Sequence, residues 1–166
     1  YTTLFRSYVI CIIVNHAFVK TISLTYKKMP FLRIAPICNG KIYVAPRSYQ
    51  GEEPGKLDIP MEDYIYACKT DTDKYAKEVE NKYSNHITGQ PEPRFSLKHL
   101  VKETNGVKKT IMLYILPLND EEQIHFTGGK FVTPEEIEMN SAQYSSFLKE
   151  EIDHLNIVTQ MWEEFK

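Results

Sequence analysis

Short β-rich runs fill the middle of the chain, and a three-and-four apolar spacing takes over towards its end. Phe31–Cys38 and Lys41–Ala45 are two such runs, joined by Asn39-Gly40. Asn-Gly between them predicts a two-residue hairpin, because a type I′ turn needs two positive φ angles in succession. Pro46 to Gly55 holds two Pro and two Gly with Glu52 and Glu53, and reads as a loop. Leu57-Asp58-Ile59-Pro60 is short and extended, ended by its proline. From Asp71 to Tyr83 no Gly or Pro intervenes, and Tyr75, Ala76, Val79 and Tyr83 fall on one helical stripe. Asp73 is placed to cap this helix. Asp73–Lys77 and Glu78–Lys82 are i,i+4 pairs on its exposed side.

Gln90-Pro91-Glu92-Pro93 is a stiff connector into a strand over Arg94–Lys102, and Asn105-Gly106 is a second tight turn. Lys108–Leu118 carries an apolar run from Ile111 to Leu116, suited to a central strand. Ile124-His125-Phe126 and Lys130–Val132 are further short strands, with Gly128-Gly129 turning between them. Thr133 is an N-cap, Pro134 occupies the first helical position and Glu136 would close a capping box. Ser141 to Phe165 reads as one long amphipathic helix. Its buried stripe comprises Phe147, Leu148, Ile152, Leu155, Val158, Thr159 and Trp162. This order predicts an α/β domain of the α+β kind: a mixed sheet packed between helices, with a long C-terminal helix.

Residues 1–28 read differently. Tyr1 to Ser7 begins without Met and resembles the translated end of a sequencing-adapter oligonucleotide, as an assembly artefact of metagenomic sequence would. Tyr8–Val19 is apolar over 12 residues and interrupted by Asn15 and His16, short of the roughly 20 needed to span a bilayer. No Ala-x-Ala-like cleavage site follows it. Met29-Pro30 is the expected start of the interpretable domain, 29–166, with a genuine strand near Tyr8–Val14 as the alternative. The leader holds four basic residues and no acid, which leaves sixteen basic against twenty-two acidic residues over 29–166. An acidic domain without a basic stripe argues against nucleic acid as partner. Cys11, Cys38 and Cys68 are odd in number and lack C-x-x-C spacing, which points to free thiols in a reducing, cytoplasmic compartment.

Three segments in this order resemble the Nudix hydrolase family. Ile34-Ala35-Pro36-Ile37, then Gly40-Lys41-Ile42-Tyr43-Val44-Ala45-Pro46-Arg47, is similar to its opening hairpin, which usually ends in Arg. Leu57-Asp58-Ile59-Pro60 resembles the strand that leads into a Gly-Gly turn, and Lys130 to Ile137 resembles a late hydrophobic-Ser/Thr-x-Glu-Glu segment. The resemblance covers nearly all of 29–166. The family's signature, G-x5-E-x7-R-E-U-x-E-E-x-G-U with U aliphatic, builds a loop–helix–loop whose glutamates hold Mg²⁺ against a pyrophosphate. Divalent metals offset phosphate charge and lower the pKa of an attacking water.

The best local match is Lys77-Glu78-Val79-Glu80-Asn81-Lys82-Tyr83-Ser84. Lys77 takes the place of Arg, Glu78 of Glu and Val79 of the aliphatic residue. The paired metal-binding glutamates then fall on Asn81 and Lys82, and the last Gly on Ser84. Counting back puts Asp63 at the signature Gly and Lys69 at the first Glu, with Met61-Glu62-Asp63 in place of Gly-Gly. A register shifted by one gives Glu80 a paired-glutamate position but puts charged Glu78 where an aliphatic belongs. Lys82 sets an ammonium where a cation should be held, and the missing glycines remove a close backbone approach.

The resemblance therefore implies a Nudix-like fold with a degenerate box. Glu78 is the candidate catalytic residue, and Glu78, Glu80, Glu62 and Asp63 are candidate metal ligands. Arg47 and Lys82 are candidate ligand-binding cations. The five histidines show neither H-x-x-x-H nor H-E-x-x-H, and Cys68 has no base specified beside it. Two functions follow. One is a weak or inactive member that binds a small nucleotide-like ligand or a protein partner, with a homodimer as one arrangement. The other is an active hydrolase that cleaves a nucleoside diphosphate-linked compound with Mg²⁺. Neither calls for a membrane.

Overall fold

The computed structural model describes residues 31–64, 72–102 and 108–166. The expectations for the leader, Cys68, Lys69 and the Asn105-Gly106 turn lie outside these residues.

Strand β1 (Phe31–Cys38) is buried at every position and forms the axis of a mixed sheet. It turns through Asn39 and Gly40, at φ 51° and 71°, into β2 (Lys41–Pro46), so the expected Asn-Gly hairpin forms with both positive angles. A long loop leads to β3 (Leu57–Asp58), which pairs with β2, and to β4 (Met61–Tyr64), which pairs antiparallel with the first half of β1. Helix α1 (Thr72–Lys82) follows. Beyond it, β5 (Arg94–Lys102) and β6 (Lys108–Pro117) pair antiparallel, and β6 runs parallel to β1 on the side away from β2 and β4. The order along the main path is β3-β2-β1-β6-β5, and the short β7 (Lys130–Val132) pairs with β2. Helices α2 (Pro134–Met139) and α3 (Ser146–Glu164) complete the fold.

Successive strand residues point to opposite faces, so β1 feeds two cores. Leu32, Ile34 and Cys38 pack with Ala76 and Val79 of α1. Ala35 and Ile37 pack with Leu148, Ile152 and Leu155 of α3, and Phe31 meets Phe147. The mixed sheet thus lies between helices, as the sequence predicts. Among the described residues no helix is long and apolar enough to cross a membrane.

Four local expectations change. Met61–Tyr64 is a strand where the box alignment implied a turn, because Met61 buries opposite Ile34 and extends the β1 ladder. Ile124–Phe126 contributes a single bridge, from Ile124 to Ile87. The C-terminal helix starts at Ser146: Tyr144 is extended and buried, and the Ser145 hydroxyl accepts from Leu148 N at 3.1 Å as the true cap. Asp73 lies inside the first turn of α1, where its carboxylate accepts from the Tyr114 hydroxyl at 2.9 Å.

Candidate functional site

Arg33 lies on the α3 face of β1 and is fully buried. Its position is set by the strand period, and its charge is met by three acids from three elements. Nε donates to both oxygens of Glu151 on α3, at 3.0 and 3.1 Å. Nη2 donates to Asp58 Oδ1 at 2.6 Å and Nη1 to Asp58 Oδ2 at 3.3 Å. Nη1 also donates to Glu62 Oε2, on the facing strand, at 2.7 Å. Arg47, just past β2, adds a second guanidinium: Nη1 bonds Asp58 Oδ2 and approaches Glu62 Oε1 at 3.6 Å, while Nε donates to the Glu52 carbonyl at 2.8 Å. Both guanidiniums lie over the Phe147 ring, at 5.6 and 5.5 Å. His99 Nε2 meets Glu151 Oε1 at 3.0 Å.

Two guanidiniums against three carboxylates leave one negative charge in excess. Burying so many ions is costly unless each is paired and hydrogen-bonded. The electrostatics differ within the cluster. Burial alone would push the Asp58 carboxyl up, but Arg33 and then Arg47 overcome it and hold Asp58 below the usual carboxylate range. Burial pushes Glu62 above that range; Arg33 opposes the shift and neighbouring Asp58 reinforces it.

Glu62 and Arg47 also line a cleft of about 480 Å³, together with Ser48, Tyr83, His86 and Phe126. The aromatic side is built in layers. His86 stacks on Phe126 with ring centres 4.1 Å apart and planes 9° from parallel, and Tyr83 meets Phe126 at 5.8 Å. Phe126 is held from behind by Tyr43, whose hydroxyl accepts from Phe126 N at 2.8 Å. Gly129 makes room for that hydroxyl, since a Cβ there would lie 2.1 Å from it. His86 Nδ1 donates to the His125 carbonyl at 2.9 Å, which leaves Nε2 as the acceptor of the neutral ring.

The residues expected from the sequence are dispersed. Arg47 and Glu62 come together at the cleft. Asp63, one residue on, points to the opposite face and pairs with Lys82, so neither Asp63 nor Lys82 lines the cleft. Glu80 is buried and its Oε2 lies 2.6 Å from Lys77 Nζ, an ion pair without hydrogen-bond geometry. Glu78 is exposed. The expected helix-surface pairs Asp73–Lys77 and Glu78–Lys82 give way to Lys77–Glu80 and Lys82–Asp63, because each lysine finds a less exposed carboxylate. The sequence reading missed Arg33, Asp58, Glu151 and His99. Glu151 did carry a signal: it falls four residues after Phe147 and four before Leu155, inside the apolar stripe.

A divalent cation needs several oxygen ligands converging on one point. The donor set does not fit one as it stands. Glu62 is engaged by two arginines, Asp63 by Lys82 and Glu80 by Lys77, on three different sides of β4 and α1. Among the described residues no group of three or more His, Cys, Asp or Glu side chains is arranged to hold a metal.

No family model matches the sequence, and no curated protein matches it significantly. Solved structures do match in fold. A Nudix hydrolase from Nitrosomonas europaea superposes with TM-score 0.56 at 11% identity, covering 80% of this chain and 90% of that one. A Nudix hydrolase from M. smegmatis gives 0.52 at 12% identity over 81% and 86%. The MutT protein of the Nudix family from a methicillin-resistant Staphylococcus aureus gives 0.50 at 12% over 80% and 96%. With β2, β1 and β6 at the centre of the sheet and helices on both faces, the chain has a Nudix-like fold.

Proposed function

We propose that this chain is a Nudix-like binding module that takes a nucleotide-like ligand in the Arg47–Glu62–Phe126 cleft, with a box too degraded to run metal-dependent hydrolysis at an appreciable rate. One observation carries the reading: of the four candidate acids, Glu62, Asp63 and Glu80 are engaged by cations of the same chain, and Glu78 stands apart from them, exposed on α1. Glu62 serves Arg33 and Arg47, Asp63 serves Lys82, and Glu80 serves Lys77. At each of them a Mg²⁺ ion would compete with an ammonium or a guanidinium already in place. The cleft has what a binding module needs: an aromatic stack for a flat ring and charged groups beside it.

The matched structures from N. europaea and M. smegmatis are called hydrolases, which makes the active enzyme the reading to exclude. Calorimetric titration with nucleoside diphosphates, with and without Mg²⁺ or Mn²⁺, alongside an assay for released phosphate or nucleotide, separates the two. Binding without metal and without turnover is expected. Turnover that requires Mg²⁺ overturns the proposal.

A further inference from the structure

We propose that the cleft reads a guanine base, with the Glu62 carboxylate accepting from the ring N–H and the 2-amino group while Arg47 donates to the 6-oxo oxygen. This rests on the nucleotide reading above and names its base. The hydrogen-bonding capacity left over in the ion cluster points to it. Asp58 is saturated: Oδ1 accepts from Arg33 and from Ile59 N at 2.8 Å, and Oδ2 accepts from both arginines. Glu151 is buried away from the cleft and takes Arg33 and His99. Glu62 differs. Its Oε2 accepts one bond from Arg33, whereas the nearest cation to Oε1 is Arg47 at 3.6 Å, too far to bond. An ionised carboxylate has about four lone-pair sites, so Glu62 retains acceptors on both oxygens.

Glu62 is also the cluster acid that lines the cleft, at 23% side-chain exposure against 1% for Asp58 and 0% for Glu151. The excess negative charge of the cluster therefore meets solvent at Glu62 and favours hydrogen-bond donors there. Arg47 supplies the complementary group. Its Nε and Nη1 are engaged with Glu52 and Asp58, and its Nη2 hydrogens remain to donate.

A carboxylate facing the ligand accepts from two N–H groups side by side. Of the common bases, guanine presents two such donors on one edge with a carbonyl next to them. Adenine and cytosine pair one amino group with a ring acceptor, and uracil offers one N–H between two carbonyls. The stacked His86–Phe126 pair and Tyr83, whose hydroxyl bonds the Glu62 main chain, provide a flat wall next to this edge-reading pair.

The test is calorimetric titration of the full chain with GDP, IDP, ADP and UDP, repeated on Glu62→Gln and His86→Ala, with melting curves as the check on folding. IDP keeps the carbonyl and ring N–H of guanine and lacks its 2-amino group. GDP is expected to bind about tenfold or more tightly than IDP, ADP and UDP, the discrimination of a good bidentate contact. Glu62→Gln, which still offers Arg33 an acceptor but turns a donor to the cleft, should abolish that preference. His86→Ala should weaken all four ligands to a similar degree and leave their ranking. Equal binding of GDP and IDP by the parent overturns the guanine assignment and leaves the nucleotide reading standing. A GDP preference that survives Glu62→Gln overturns the role of Glu62. No binding of any nucleotide overturns both readings. Should Glu62→Gln fail to fold, the parent's GDP-to-IDP ratio decides alone.

Discussion

Arg33 and Glu62 stand opposite each other in the β1–β4 ladder, and their side chains meet at 2.7 Å on the α3 face of the sheet. Each serves a different region. Arg33 is fully buried and anchors Glu151 of α3, whereas Glu62 reaches the cleft. The pair joins interior electrostatics to the cleft surface, so what happens to one guanidinium bears on both the interior and the cleft.

Glu151→Ala should be destabilising, by about 1–3 kcal/mol, because it leaves the buried Arg33 Nε donor without its acceptor while Asp58 and Glu62 still offset the charge. Glu151→Gln keeps an acceptor for Arg33 Nε and should cost visibly less. Urea unfolding monitored by circular dichroism would rank the two; equal costs would mean that the charge, which both variants remove, matters rather than the volume or the neutral acceptor.

Val79 is 5% exposed and packs against Leu32 and Ile34. Val79→Asp places an unpaired carboxylate in that core and should cost ~3 kcal/mol or more. A melting temperature equal to the parent's would refute the placement of α1 on β1, and with it the alignment that sets Val79 at the aliphatic box position.

Asn81 and Lys82, which the sequence alignment sets at the paired-glutamate positions of the box, are both exposed on α1. Replacing both with Glu frees Asp63 from Lys82 and adds two carboxylates one turn from Glu78. Mn²⁺ affinity measured by calorimetry should rise in the double variant. Hydrolysis should stay slight, because Met61 and Glu62 still replace the glycines. Tight Mn²⁺ binding by the parent, unchanged in the variant, would place a metal site elsewhere.

Acid should unfold the protein through Asp58. Its carboxyl is held below the ordinary value of 3.8, so the stability it contributes is complete above 3.8 and is lost as pH falls through its lower folded value. Glu62 acts in the other sense: its carboxyl sits above 4.5, so its contribution is complete below 4.5 and declines as pH rises through the higher folded value. Stability against pH should therefore drop steeply below about 4. In Asp58→Asn the acid-side drop should be shallower, although the variant starts from lower stability. An unchanged slope would clear Asp58 of this role.

The elements were legible because their signals are local. Asn39-Gly40 demanded a turn with two positive φ angles, and the stripe of Phe147, Leu148, Ile152 and Leu155 demanded a buried helix face. Arg47 and Glu62 were legible as candidates, one as a ligand-binding cation and the other as a metal ligand, and both line one cleft. The ion cluster was not, since Arg33, Asp58 and Glu151 are 25 to 118 positions apart and meet only when β1, β3 and α3 pack. Glu62 and Asp63 look like one acidic pair in sequence, yet the strand period sends them to opposite faces. Arg33 sits in an otherwise apolar run, and a charge at an all-buried position was the missed cue.

The Tyr83 hydroxyl donates to the Glu62 carbonyl at 3.0 Å and lies 3.4 Å from the Glu62 amide, which donates to it in turn. Among the described residues β4 pairs with β1 alone, so those two main-chain groups mark a free sheet margin of the kind that recruits a strand from another molecule. One phenol at the end of α1 blocks both. Tyr83 thus fills the two positions through which a second strand would pair, and a phenylalanine in its place would keep the ring while leaving both main-chain groups open beside the cleft.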